Sequence, residues 1–165
     1  MELGLRPATL DDVDLVADLE TARTPDDPQD GVMVAYWWTH EPEEKIALRL
    51  IAESGGAASV FVSARHVPWE GNDRRFGWLG VSVRPDAWNP GLYTSGIAAG
   101  EAWLREEKAE ASVAWERADF ERELSGLGEL GYRELRRERY WELDLVRSEE
   151  RRVGKECRSR WSPYH

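Results

Sequence analysis

Residues 76–100, "FGWLGVSVRPDAWNPGLYTSGIAAG", narrow the folds open to this chain more than any other stretch. Leu79, Val81 and Val83 fall on one face of a period-two pattern, with Phe76 and Trp78 on the other, which predicts a strand. Pro85 has no N–H for a ladder and ends it. Asn89 is a favoured N-cap, and Pro90 then falls at the first helical position, where its missing N–H costs nothing. The helix is predicted from Gly91 to Lys108. Gly96 and Gly100 share one of its faces and let its backbone approach a sheet closely, while Glu101, Arg105 and Glu106 exclude a membrane helix. A helix starting at the carboxyl end of a strand can also offer a phosphate the N–H groups of Gly91, Leu92, Tyr93 and Thr94. The residues fit both a plain helix start and an anion cradle.

The flanking segments extend this unit into a mixed α/β domain. "LGLRPAT" predicts a short first strand, and Thr9 caps a helix whose apolar stripe holds Leu10, Val13, Val16, Ala17 and Leu19. "TPDDPQDG" breaks that helix. A second helical region is predicted over "VMVAYWWTH" and "EPEEKIALRL", ending before a strand near "RLIAE". "ESGGA" reads as a turn, "ASVFVSARHV" as a strand and "PWEGNDRR" as a loop. Beyond residue 108, "EASVAW" predicts a short strand, "RADFERELSGLGEL" a helix, and "GYREL" and "RYWELDL" two closing strands. The predicted order is β-α-α-β-β-β-α-β-α-β-β.

Residues 147–165, "RSEERRVGKECRSRWSPYH", do not match the rest. They have neither helical nor strand periodicity and are similar to the translation of a sequencing-adapter oligonucleotide. A natural basic tail is the alternative reading. The expected division is one domain over 1–146 and a non-native tail over 147–165. Without the tail's six basic and three acidic residues, 16 basic and 29 acidic remain, a net charge of −13. Such a surface repels nucleic acid and anionic lipid and favours cationic partners. The single cysteine, Cys157, lies in the tail, so the domain has no thiolate chemistry and no cysteine metal site. His40 and His66 are far apart, and no metal-ligand spacing appears. No signal peptide or membrane span is read, and a cytoplasmic protein is expected.

The element order and three local segments resemble the GNAT family of acetyl-CoA-dependent N-acetyltransferases over about residues 3–145. "LRPATLDDVDLVADL" is similar to the family's opening strand and helix. "FGWLGVSVRPDAWNPGLYTSGIAAGEAWLREEKA" is similar to its central strand, turn and helix, and "ELGYRELRRERYWELDL" to its closing segment. The resemblance implies a central mixed twisted sheet of six to seven strands flanked by about four helices. Acetyl-CoA is the implied co-substrate, and no metal is implied. Its pantetheine arm would lie along Val81, Ser82 and Val83, and its phosphates at Asn89, Gly91, Leu92, Tyr93 and Thr94. The turn departs from the family's Arg/Gln-x-x-Gly-x-Gly/Ala: Trp88 takes the first position and Tyr93 the last, with Gly91 retained. Where many members carry a tyrosine acid, Leu127 stands five residues before Tyr132.

By the same resemblance, Trp37, Trp38 and Trp69 lie in the region that lines the acceptor pocket, where they could form an aromatic wall or a cation–π cage. Packing is the weightier reading, because large aromatic side chains are mostly buried for area. No catalytic base or acid can be named. The implied function is transfer of acetyl to a primary amine of a small molecule or peptide. A catalytically decayed ligand- or partner-binding domain is the alternative, and a homodimer through the Trp-rich helices is a third reading.

Overall fold

The computed structural model describes residues 4–42, 45–71 and 73–137. Residues up to Arg133 form one unit. Those from Glu134 form another, of which Glu134–Arg137 is described, with Arg137 donating to Glu134 at 3.0 Å. The first unit runs β1 (Arg6–Pro7), α1 (Val13–Arg23), α2 (Gly31–Thr39), β2 (Ile46–Ser54), β3 (Ala57–His66), β4 (Phe76–Val83), α3 (Pro90–Glu106), β5 (Ala111–Ala114) and α4 (Glu121–Glu129).

The five strands lie in chain order across one sheet. β1 to β4 pair antiparallel, and β4 and β5 pair parallel. The turn between β2 and β3 places Gly55 and Gly56 at φ +62° and +79°, the left-handed backbone that a two-residue hairpin of this hand requires. The parallel step needs a crossover, and α3 supplies it.

Each face of the sheet buries one apolar set. Val60, Val62 and Ala64 of β3 join Leu79, Val81 and Val83 of β4 against Ile97 and Leu104 of α3. Ile51, Ala58 and Phe61 meet Val16, Ala17 and Leu19 of α1 and Val34 of α2 on the other face. The close approach of α3 is physical necessity: a Cβ on Gly96 would stand 2.7 Å from Val81 Cγ1, and one on Gly100 would overlap Leu79. At the opposite edge, Arg6 grips Asp12 with two hydrogen bonds of 2.9 and 2.6 Å and pairs with Glu53. The Arg6 guanidinium, with burial opposing it, holds the Asp12 carboxyl well below the usual carboxylate range. Asp12 also accepts from the Thr9 N–H at 2.8 Å, which fixes the start of α1.

The first nine predicted elements occur in the predicted order. Several differ in extent, most of all α2, β2 and β1, and the tenth predicted element is not formed. Helix α2 stops at Thr39, and the segment from Ile46 to Leu50 is already strand, since Pro42 cannot continue a helix and Ile46 pairs with His66. Pairing confines β1 to two residues. The predicted strand "GYREL" is absent: Gly131 turns the chain at φ +87°, and residues 132–137 join no ladder. The sheet therefore has five strands among the described residues, where six to seven were expected. The predicted strand "RYWELDL" and the tail over 147–165 lie outside the described residues.

Candidate active site

β4 has a neighbour on both edges only at Trp78 and Leu79. Its pairing with β5 runs from Phe76↔Ala111 to Leu79↔Ala114, yet the strand continues to Val83. The Arg84 N–H donates to the Ser59 carbonyl at 2.9 Å, on the β3 side. Strand alternation then turns the backbone groups of Gly80 and Ser82 toward β3 and those of Val81 and Val83 toward the open side. No ladder partner meets Val81 or Val83 there among the described residues.

Beside this split lies a buried polar network drawn from both faces. Arg23 at the end of α1 pairs with Glu116, two residues past β5, whose side chain is 4% exposed. Tyr93, on α3, donates its hydroxyl to Glu116 Oε1 at 3.2 Å. Ser82 donates to Glu20 Oε1 at 2.6 Å and accepts from Arg23 Nη1 at 3.3 Å. The guanidinium of Arg23 also lies 4.6 Å from the ring centre of Phe120. Burial pushes the Glu116 carboxyl up to about 7, against the pull of Arg23, and burial raises Glu20 as well. The Tyr93 hydroxyl is raised by burial and by the neighbouring Glu116 charge. A carboxyl near neutrality beside an open backbone edge can take or give a proton at ordinary pH.

The turn into α3 spends its own donors. Asn89 Oδ1 accepts the Gly91 N–H at 2.7 Å, and the Asn89 carbonyl accepts those of Leu92 and Tyr93 at 3.0 and 3.2 Å. Thr94 donates its hydroxyl back to Pro90 and Gly91 carbonyls. Tyr93 is buried against Trp88, with ring centres 5.4 Å apart, and both line the cavity beside the turn. A cavity of about 340 Å³ opens beside the turn, lined by Trp88, Thr94, Arg122, Ser125 and Gly126 among others.

The three tryptophans expected at an acceptor pocket do not come together. Trp37 is 54% exposed on α2. Trp38 stacks on Phe61 at 5.8 Å under the Arg49 guanidinium. Trp69 stacks on His66 at 4.1 Å and donates Nε1–H to the Glu107 carbonyl, near the end of α3. His66 is bonded through Nδ1 to the Val67 carbonyl, and its Nε2 has no hydrogen-bond partner. Leu127 is core. Tyr132 meets Ser112 at 2.6 Å and Glu101 at 2.8 Å, and burial pushes its hydroxyl up to about 12.

Glu20, Arg23 and Glu116 are not singled out by the sequence reading. Their signal is there: Glu20 and Arg23 continue the Val16–Leu19 stripe at helical spacing, so two charged residues stand on a buried face. Glu116 ends the apolar segment "ASVAW". Among the described residues no group of three or more His, Cys, Asp or Glu could hold a metal ion, and no helix is long and apolar enough to cross a membrane.

This arrangement of sheet, split and crossover helix is the fold of the GCN5-related N-acetyltransferases. The chain is similar to a Trypanosoma brucei acetyltransferase, with a TM-score of 0.64 and 19% identity, covering 86% of this chain and 100% of that one. It is also similar to an aminoglycoside 6'-N-acetyltransferase from Acinetobacter haemolyticus, with a TM-score of 0.62 and 19% identity over 86% and 99% of the two chains. A third similar structure is another aminoglycoside N-acetyltransferase, in complex with CoA, with a TM-score of 0.58 and 19% identity over 85% and 98%. No family model and no curated protein matches the chain.

Proposed function

We propose that this protein moves an acetyl group from acetyl-CoA to a primary amine of a small molecule or peptide. One observation carries the reading: β4 runs past its last pairing with β5 and leaves the backbone groups of Val81 and Val83 open beside a buried carboxylate. An extended pantetheine arm fits such an edge as an added strand fits a sheet. Bound there, the co-substrate supplies an activated thioester.

The chain's own residues then have distinct tasks. Val81 and Val83 orient the arm through their N–H and C=O groups, and one N–H donates to the acetyl oxygen. Glu116 takes the proton of the incoming ammonium, directly or through one water. Arg23 holds that carboxylate in place. Tyr93, whose hydroxyl donates to Glu116 at 3.2 Å, helps hold that carboxylate, and the proton that Glu116 has taken would return to the leaving thiolate directly or through water. Phosphate groups fit the turn less well, because its N–H groups are spent and the cavity between α3 and α4 sets Glu121 and Glu129 beside its one cation, Arg122.

The self-satisfied turn is also the observation that favours the second reading, a domain of this fold that binds a ligand or partner without catalysis. Calorimetric titration of the full chain with acetyl-CoA and then CoA separates the two. Micromolar binding with thiol release on addition of amines supports transfer. No heat at millimolar acetyl-CoA removes the acetyltransferase reading and leaves the second.

A further inference from the structure

On the α1 and α2 side of the sheet, a cavity of about 240 Å³ is lined by Ser63, Arg65, Trp78, Gly80, Val113 and Trp115, among others. Gly80 is the first β4 residue past the last rung shared with β5, so the cavity opens onto the split. Its volume lies below the roughly 300–1,000 Å³ of sites for drug-sized ligands, which suits a small acceptor. Two indoles and a valine supply apolar walls. No acidic residue lines it, although the chain is strongly acidic, and Glu116 directly follows Trp115 of the lining.

Arg65 is the one charged group in this lining. It is exposed, and its cross-strand neighbours are Ala47 and Trp78, neither of them charged. It has no ion pair among the described residues, whereas Arg6, Arg23, Arg49, Arg75, Arg105 and Arg117 all have carboxylate partners. The Arg65↔Trp78 rung is two residues from the Ser63↔Gly80 rung, or about 6.8 Å along the strand. In an α-amino acid one carbon separates the carboxylate from the amine. A carboxylate held by the guanidinium would therefore keep its amine within this cavity, which reaches Gly80 at the split.

Resting on the acetyltransferase reading, we propose that the acceptor is a small aromatic amino acid, with Arg65 binding its carboxylate and Trp78 and Trp115 its side chain. Arginine is suited to the task, because its planar fork meets a carboxylate with two charge-assisted hydrogen bonds.

The test uses the full chain and two probes that differ by the carboxylate, L-phenylalanine and phenethylamine. Each is titrated calorimetrically without co-substrate and then assayed as acceptor with acetyl-CoA. L-Phenylalanine is expected to bind about ten- to hundredfold more tightly. Arg65→Gln abolishes that difference and leaves phenethylamine unchanged, and Arg65→Lys keeps part of it. Because Arg65 is exposed, both variants are expected to keep the wild-type circular dichroism spectrum. Equal affinity for the two probes, no binding of either, or an unchanged preference in Arg65→Gln overturns the proposal. Acetyl-CoA binding without phenylalanine binding defeats this proposal alone. Arg65-dependent phenylalanine binding without acetyl-CoA binding defeats the acetyltransferase reading alone.

Discussion

The two halves of β4 have the same sequence pattern and opposite surroundings. At Trp78 and Leu79 the strand is paired on both edges, Phe76 and Gly77 pair with β5, and Gly77 and Gly100 are closed over by Leu104 and Leu79. From Gly80 to Val83 it is paired on one edge only, and Glu20, Arg23, Tyr93 and Glu116 gather near the other. The Phe76–Leu79 half has a ladder with β5 and a face packed closely against α3. The open half keeps unpaired backbone groups next to ionisable side chains, an arrangement that is costly in a core unless a ligand or function uses it. Stability is thus concentrated at one end of a single strand and chemistry at the other.

Substitutions at the two ends should therefore separate activity from stability. Glu116→Gln, at the open end, is expected to lower kcat by about 10²–10⁴-fold, the usual worth of a general base, while acetyl-CoA affinity stays close to wild type. The same variant tests the pH dependence. With its folded value near 7 and its ordinary value 4.5, Glu116 binds more protons in the native state than in the unfolded chain between those limits. Its contribution to stability is full below about pH 4.5 and is lost as pH rises toward 7, whereas kcat rises over the upper part of that window. Urea midpoints and rates measured from pH 5 to 8 should both flatten in Glu116→Gln. A wild-type rate that ignores pH would remove Glu116 as base.

Leu104→Ala works on the closed end. It empties a buried site over Gly77 and is expected to cost about 2–5 kcal/mol of stability by urea unfolding, with acetyl-CoA affinity unchanged. A loss of affinity equal to the loss of stability would show that the two halves are not independent. Asn89→Ala gives the smallest effect. Loss of the cap should cost about 0.5–2 kcal/mol. It also frees the Gly91 N–H, so a tighter acetyl-CoA complex in this variant would mean that the cap competes with phosphate.

Much of this architecture was legible because it follows local rules. The alternation of Leu79, Val81 and Val83 places β4 residue for residue, and Asn89-Pro90 starts α3 where the capping rules put it. The glycines at 96 and 100 foretell the contact with β4. The misread start of β2 turns on pairing with His66, a residue far along the chain, which no local pattern contains. The site was legible as backbone and opaque as side chains. Val81 and Val83 stand on the open edge, but Ser82 turns its backbone to β3 and brings only a hydroxyl to Glu20. Glu116 gains its meaning from Arg23, a partner 93 residues away. Tyr93 reads as bulk in a turn until the fold carries its hydroxyl to that carboxylate.

The placement of β5 has a kinetic consequence. β2, β3 and β4 are joined by short connections and can zip in sequence, whereas β5 reaches β4 only after α3 has closed a long crossover. Four parallel rungs then hold a short strand whose residues are all only partly buried. Such a segment is expected to dock late in folding and to open at a free energy below that of global unfolding. Glu116 lies just past the end of this strand, so the carboxylate that Arg23 and Tyr93 hold sits beside an edge of four rungs. Widening of the split, and with it admission of an extended ligand, then needs only a local fluctuation of β5 while the β2–β4 meander stays intact.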